Sequence, residues 1–364
     1  MGGHLGFQSS RLESLDVFRG IAIVGMLLVI SPGSGQYVYG PLRHAEWNGF
    51  TFADLVFPLF VFTVGVAVAL SLSKRIQRGE KRRTMLLKVI VRTAVLFGLG
   101  LVLNRLWYGD SSGLRVTGVL QRIALCYFFT SIIFMVGEFR GLMVSAAVLL
   151  LSYWVMMKLV PVPGYGPGVL EKDGNLAAYL DNLLLHGHLY KENWDPEGLL
   201  STMPAVATAV LGASTGVWVL SPRTKTKKAL GMILIGCAGA SLGMLWNVDF
   251  PINKNLWSSS YVVFTAGIML LIFAFCYWLV DIKGWGMLTK PLTIFGRNAL
   301  ATYLISDVTK YILIRNSTWT QLYRSLSALS HDPTAASLLH AITYTLVWLG
   351  PAALLYRKGI TIKI

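Results

Sequence analysis

Of 364 residues, 54% are hydrophobic and only 13% are charged, about half the charged share of an ordinary soluble domain. With a mean hydropathy of +0.59, these values exclude a disordered chain, a secreted disulfide scaffold and a cytosolic enzyme. They leave apolar sequence for roughly ten bilayer spans of about 20 residues each. The net charge of +15 fits anchoring of a membrane chain by cytoplasmic Lys and Arg, with no nucleic-acid partner implied. Cys126, Cys237 and Cys276 are scattered through apolar segments and predict neither disulfides nor a metal site.

Apolar runs predict an all-α, polytopic membrane protein that forms a single domain over residues 1–364. Ten spans are expected, near 14–31, 51–73, 85–103, 118–136, 142–160, 198–220, 229–246, 257–280, 292–314 and 336–356. No cleavable signal is expected, because Met1–Ser10 is polar and the first apolar run contains Arg19. With the N-terminus inside, the inner segments hold seventeen basic residues, from Arg11 to Lys363. The outer segments hold eight: Arg43, Arg105, Arg115, Lys172, Lys191, Lys254, Arg315 and Arg324. This asymmetry predicts both termini in the cytoplasm of a multi-pass membrane protein.

Ionisable groups at membrane depth are costly and direct attention to function. In the first span Asp16 and Arg19 stand three residues apart, placed either to pair or to leave Arg19 for an anionic ligand. The outer segment 32–50 ends in Arg43-His-Ala-Glu-Trp-Asn-Gly49 and leads into a helix start, Thr51-Phe-Ala-Asp54. His44 stands beside Glu46, Trp47 and Asn48, with Asp54 one or two helical turns on. Such an imidazole can act as a base, its tautomer held by a carboxylate. Gln121 and Arg122 fall near the outer end of the fourth span, and Arg297, Asn298 and Asp307 fall in the ninth.

The 161–197 outer loop is long, and Pro161, Pro163 and Pro167 precede a helix-like run, Asn175–Leu185, so order is expected there. His186 and His188, near Glu192, Asp195 and Glu197, lack a third ligand at defined spacing and suit solvated histidines better than a metal centre. His340 faces an apolar helix and is expected to be structural. Gly212–Gly216 and Gly239–Gly243 suit either close packing within the monomer or a homodimer. No phosphate-binding loop occurs, and the G-x-S-x-G string at 212–216 lies inside an apolar run and not at a strand-to-helix turn, which leaves ATP-driven transport and serine hydrolysis without support.

Taken together, Arg11-Leu-Glu-Ser-Leu-Asp-Val-Phe-Arg-Gly20 and His44-Ala-Glu-Trp-Asn-Gly-Phe-Thr-Phe-Ala-Asp-Leu-Val-Phe-Pro58 resemble the heparan-α-glucosaminide N-acetyltransferase family and its bacterial NagX-type transmembrane acyltransferases. Further matching blocks are Gly118-Val-Leu-Gln-Arg122, Asp195-Pro-Glu-Gly198, Asn253-Lys-Asn-Leu-Trp-Ser258 with Tyr261, Val280-Asp-Ile-Lys-Gly284 and Gly296-Arg-Asn-Ala299. The resemblance implies acetyl transfer from acetyl-CoA, a co-substrate, to the amine of a terminal glucosamine across a membrane, without a metal.

His44 matches the family's active-site histidine, as general base or transient acetyl carrier. Asn48 and Asn298 are the candidate oxyanion donors. Arg19, Arg75, Arg122 and Arg297 are the candidate CoA contacts, within an inner basic surface that includes Lys74, Arg78, Arg82 and Arg83. Trp47, Asp54, Asp195, Glu197, Asn253, Asn255 and Trp257 are the candidate contacts to the amino sugar. The large lumenal extension of the lysosomal member is not expected here, which shifts the expected acceptor from heparan sulfate to glucosamine, a related amino sugar or another glycan. An amino-sugar transporter using the same outer residues is the alternative.

Overall fold

The computed structural model describes residues 12–109 and 113–362. Arg11 and Lys363 of the basic count, and the polar stretch Met1–Ser10, lie outside the described residues. Thirteen α-helices carry the described chain, and its only strand-like pairing is the bridge between Val162 and Gly166. They are α1 (Glu13–Ile30), α2 (Phe52–Gln77), α3 (Arg82–Tyr108), α4 (Val119–Val136), α5 (Phe139–Leu159), α6 (Leu176–Leu185) and α7 (Thr202–Leu220). There follow α8 (Lys225–Trp246), α9 (Ser259–Tyr277), α10 (Lys290–Arg297), α11 (Ala299–Arg315), α12 (Thr318–Ser330) and α13 (Pro333–Arg357).

Eight of these, α2 to α5, α7 to α9 and α13, are long and apolar enough to cross a membrane. The chain is a multi-pass membrane protein, as the hydrophobic runs require, because a helix satisfies its own backbone in lipid. Two of the ten expected spans depart from that description. The first forms α1, which carries Glu13, Asp16 and Arg19 in its first two turns. The ninth, expected as one helix over 292–314, breaks at Asn298 into α10 and α11. The break is held by tertiary bonds: the Asn298 amide donates to the Ile360 carbonyl (3.1 Å) and its oxygen accepts from the Ile362 N–H (2.8 Å).

The chain divides into two compact units. The mid-chain unit, Val61–Trp278, holds most of α2 and α3 through α9; the terminal unit holds Glu13–Phe60 and Leu279 onward. The divisions fall inside α2, three residues after Pro58, and at the π-helical turn Trp278–Ile282. Pro58 cannot donate to the Asp54 carbonyl four residues back, and the π turn likewise interrupts regular helix.

Small residues set the packing, as expected where lipid removes the hydrophobic drive between helices. In the mid-chain unit a Cβ at Gly65 would collide with the Ala209 carbonyl, and one at Gly212 with the Phe62 carbonyl. Gly216 meets Ala69 and Val66 in the same way, so α2 and α7 touch backbone to backbone. Gly236, Gly239 and Gly243 of α8 face Val263, Phe264 and Gly267 of α9. Both GxxxG spacings are therefore taken up within the chain. In the terminal unit, Gly20 lies on Leu292 and Gly296 on the Asp16 carbonyl, which brings α10 onto the first half of α1.

These contacts predict a graded response to one methyl group. Gly65→Ala and Gly296→Ala should each cost roughly 1–3 kcal/mol, seen as a lower thermal midpoint of the detergent-purified protein. Gly98→Ala in α3, where nothing lies within 4 Å, should leave the midpoint unchanged or slightly raised.

Candidate active site

The loop between α1 and α2 delivers His44 to the first turn of α2. A 3₁₀ turn at Gly40–Leu42 and the Arg43 guanidinium, bonded to the Gln36 carbonyl at 3.2 Å, fold the loop back on itself. Gly49, at φ +117°, makes the last bend before the helix, in a region that disfavours other residues. The Thr51 N–H then donates to Asp54 Oδ2 at 3.1 Å, the reciprocal half of a capping box. The same oxygen accepts from the Ala45 N–H at 3.1 Å, while Oδ1 meets His44 Nδ1 at 2.8 Å.

The Asp54 side chain is 1% exposed and that of His44 is 48% exposed. A buried carboxylate thus grips one nitrogen of an accessible imidazole. The carboxylate favours the tautomer with hydrogen on Nδ1 and the lone pair on Nε2. Trp47 is buried beside this turn and Asn48 is exposed on it. His44, Trp47, Asn48 and Asp54 are therefore brought together.

Asn298, grouped with His44 as an oxyanion donor, is not among them, which corrects the sequence reading. Gly296 packs on the Asp16 carbonyl, whereas Val56 of α2 packs on Gly25. Nine residues of α1 separate these two levels, a rise of about 14 Å. Both ends of the Asn298 amide already bond the backbone near Ile360 and Ile362. Arg19 and Arg297 stand at this far level, Arg19 3.6 Å from Asp16 and Arg297 over the Tyr356 ring at 4.3 Å.

A second polar assembly lies in the mid-chain unit, around the Asp195-Pro-Glu-Gly198 segment. Asp195 accepts from Arg115 Nε (3.0 Å) and a terminal Arg115 nitrogen (2.7 Å), from the Thr117 hydroxyl (2.5 Å), and from the Tyr190 and Glu197 N–H groups (both 2.8 Å). Arg115 also donates to Glu197 at 2.6 Å and lies over the Tyr190 ring at 4.6 Å. Burial opposes charge on this guanidinium, but its bonds to Asp195 and the neighbouring Glu197 carboxylate outweigh burial and raise its pKa above the ordinary value.

Arg122 is fully buried and donates to the carbonyls of Pro196 (2.9 Å) and Gly198 (3.0 Å) and to the Ser201 hydroxyl (2.5 Å). Its guanidinium lies 5.1 Å from the centre of the Trp257 ring, and Trp257 Nε1 donates to Thr208 at 3.1 Å. Asp195 thus has its lone pairs occupied within the assembly, and the terminal nitrogens of Arg122 are occupied by loop oxygens. Trp257 is 1% exposed and Asn253 is fully buried, where it accepts from the Leu256 N–H at 2.9 Å. In this structure Asp195, Arg122, Trp257 and Asn253 all make contacts within the protein scaffold. Asn255 is half-buried; Glu197 sits beside Arg115; Arg75 stands 3.7 Å from Glu80 at the α2–α3 turn.

The α6 run begins one residue after its expected start, with Asn175 capping it through Ala178 N–H at 2.8 Å. His186 bonds Asn182 and His188 bonds the Leu114 carbonyl, so the two histidines have separate partners. No cluster of three or more His, Cys, Asp or Glu suited to a metal occurs among the described residues. Sequence reasoning counted Arg115 only as an outer charge and passed over Asp181. An Arg-x-Thr two residues before a helix, in a chain whose later loop reads Asp-Pro-Glu, was the available signal.

A family model described as heparan-alpha-glucosaminide N-acetyltransferase, catalytic, matches residues 11–243. The chain belongs to this family. It is 32% identical over 413 aligned positions to the Homo sapiens heparan-alpha-glucosaminide N-acetyltransferase, covering 97% of this chain and 60% of that protein. Identity to the Mus musculus protein of the same name is 29%, covering 98% and 61%. The chain thus spans about three fifths of the length of these curated relatives. In this family member the matched region contains His44, Asp54 and the Arg115–Asp195–Arg122 assembly, whereas Asn298 lies beyond it.

Asp181 of α6 supplies a test of the second assembly. It is buried, accepts from the Leu199 N–H at 2.7 Å, and burial pushes its carboxyl up from 3.8 to about 7. A folded pKa above the unfolded one means that the folded state binds more protons between these values. Stability should therefore fall as pH rises from about 4 to about 7 and level off above. Thermal midpoints at pH 5 and pH 8 should differ less in Asp181→Asn, which keeps the acceptor for Leu199, than in the unsubstituted protein.

Proposed function

We propose that this chain is a membrane-embedded acetyltransferase that moves an acetyl group from acetyl-CoA to the amine of glucosamine or a related amino sugar, with His44 as general base. Relatives named heparan-alpha-glucosaminide N-acetyltransferase support the reaction class. The observation that carries the mechanism is the 2.8 Å contact from half-exposed His44 to buried Asp54.

The amine nitrogen attacks the thioester carbonyl carbon while His44 Nε2 removes a proton from that nitrogen. The tetrahedral intermediate then loses CoA as the thiolate, which recovers the proton from the imidazolium. Asp54 keeps the ring in the required tautomer and stabilises the imidazolium during the interval. Asn48, on the same turn, is the side-chain candidate for the oxyanion. Trp47, at the edge of the same turn, remains a candidate wall for the acceptor.

The donor is polyanionic, and the α2–α3 turn exposes Lys74, Arg78, Arg82 and Arg83 to attract its phosphates. The concentration of basic residues there supports a cytoplasmic position for that turn. The setting this supports is a bacterial inner membrane, with the acceptor arriving from outside.

Release of free CoA by the purified protein, given acetyl-CoA and glucosamine, tests the reading. His44→Ala should abolish it, and Asp54→Asn should lower kcat by about 10²- to 10⁴-fold. No turnover by the unsubstituted protein, with sugar uptake into vesicles, would establish transport instead. Labelled acetyl retained on His44 without acceptor would replace the base by a covalent carrier.

A further inference from the structure

The loop that bears His44 is held at its far end by Asp54, and its near end is held by side chains of a different region. Four of the five residues from Ile30, the last of α1, to Ser34 are engaged. The Lys310 ammonium of α11 donates to the Ile30 carbonyl, at the C-terminal end of α1, where helix dipoles favour a cation. His340 Nδ1 of α13 approaches the Ser31 carbonyl at 3.4 Å. The Gly33 N–H donates to the Ser337 carbonyl at 3.3 Å. The Ser34 N–H donates to the Ser337 hydroxyl, which in turn donates to the Ser34 carbonyl, both at 3.2 Å.

The groups that make these bonds are out of water. Ser31 and His340 are fully buried and Ser337 is 2% exposed. Packing enforces the same contact, since a Cβ at Gly33 would press on the Tyr323 ring and on His340. The Trp319 ring lies 4.3 Å from the His340 ring and 5.6 Å from the Lys310 ammonium, closing the cluster from α12. Loops ordinarily run over a surface with few such anchors. Here a half-buried lysine and a serine with two hydrogen bonds engage the backbone of one loop.

We infer that Lys310, Ser337 and His340 form a clip that fixes the entry of the 31–51 loop, and that Ser337 is thereby a positioning residue for His44. The inference rests on the reading of His44 as the transfer base. Ser337 does not touch the reacting atoms; it acts by holding Ser34, ten residues before His44. Between the clip and Asp54 the loop has little freedom to move His44 off its line to the acceptor. Displacing a reacting group by about 1 Å can cost on the order of 10²-fold in rate.

The test uses the full chain in detergent or nanodiscs with Ser337→Ala and Ser337→Thr. Ser337→Ala should lower kcat for acetyl transfer about tenfold or more, with KM for acetyl-CoA within about twofold. Ser337→Thr, which keeps the hydroxyl, should restore most of kcat. Hydrogen exchange over residues 33–43 should quicken in Ser337→Ala and stay unchanged over 161–197.

An unchanged kcat in Ser337→Ala overturns the inference, as does unchanged exchange over 33–43. A loss that Ser337→Thr fails to restore, or one that follows a lowered thermal midpoint, also overturns it by reducing Ser337 to a general stability role. If the unsubstituted protein transfers no acetyl group, the positioning role falls with the functional reading. Exchange at 33–43 then shows separately whether the clip holds the loop.

Discussion

A carboxylate buried at the start of a helix is unfavourable unless its lone pairs are filled, and Asp54 fills them with the segment that carries His44. One oxygen takes backbone N–H groups from Ala45 and Thr51; the other takes the imidazole. The helix start and the placement of His44 are therefore one arrangement. Removing the carboxylate would uncap α2 and unmoor the histidine together, whereas an amide in its place keeps the size and loses the charge. Pro58 follows by four residues, so α2 lacks one rung of its ladder beside the group that organises its start.

Charge is handled differently in the mid-chain unit. Arg115, Asp195 and Glu197 neutralise one another out of water, and Arg122 is spread over three oxygens and the face of Trp257. Such buried networks contribute less stability than their number of bonds suggests, because desolvation offsets most of the attraction. Their effect is to specify one conformation for a long polar loop. Two arginines contributed from just before and within α4 determine where the Asp195–Gly198 turn can lie. Packing alone gives this turn a defined role in the fold.

The sequence was most legible where a residue's neighbours along the chain decide its role. The apolar runs located most of the spans, and Asn175 marked a capped helix in the long loop. The acidic first turn after His44 placed a carboxylate within reach of an imidazole. It was least legible where long-range bonds decide. Nothing local at Arg297-Asn298 announces a helix break; the extended segment near Ile360, more than sixty residues away, imposes it. Asp195 and Trp257 looked like sugar-binding groups because an acid and an indole in outer loops ordinarily are accessible. Their burial depends on Arg115 and Arg122, residues whose partners no spacing rule reveals.

The level at which each polar residue sits then sorts its chemistry. Asp16, Arg19, Arg297 and Asn298 gather where α10 crosses the first half of α1, and His44 and Asp54 gather past Gly25. A hydrogen bond to a developing oxyanion must be made within about 3 Å, so a rise of about 14 Å disqualifies any group at the first level from direct help at the second. In the proposed transfer, Asn48 and the backbone N–H groups near the Gly49 bend are the donors that the loop itself offers. A loop asked to supply both base and donors gains from being fixed at each end. The capped start of α2 fixes one end, and half-buried Lys310 with buried Ser337 fixes the other.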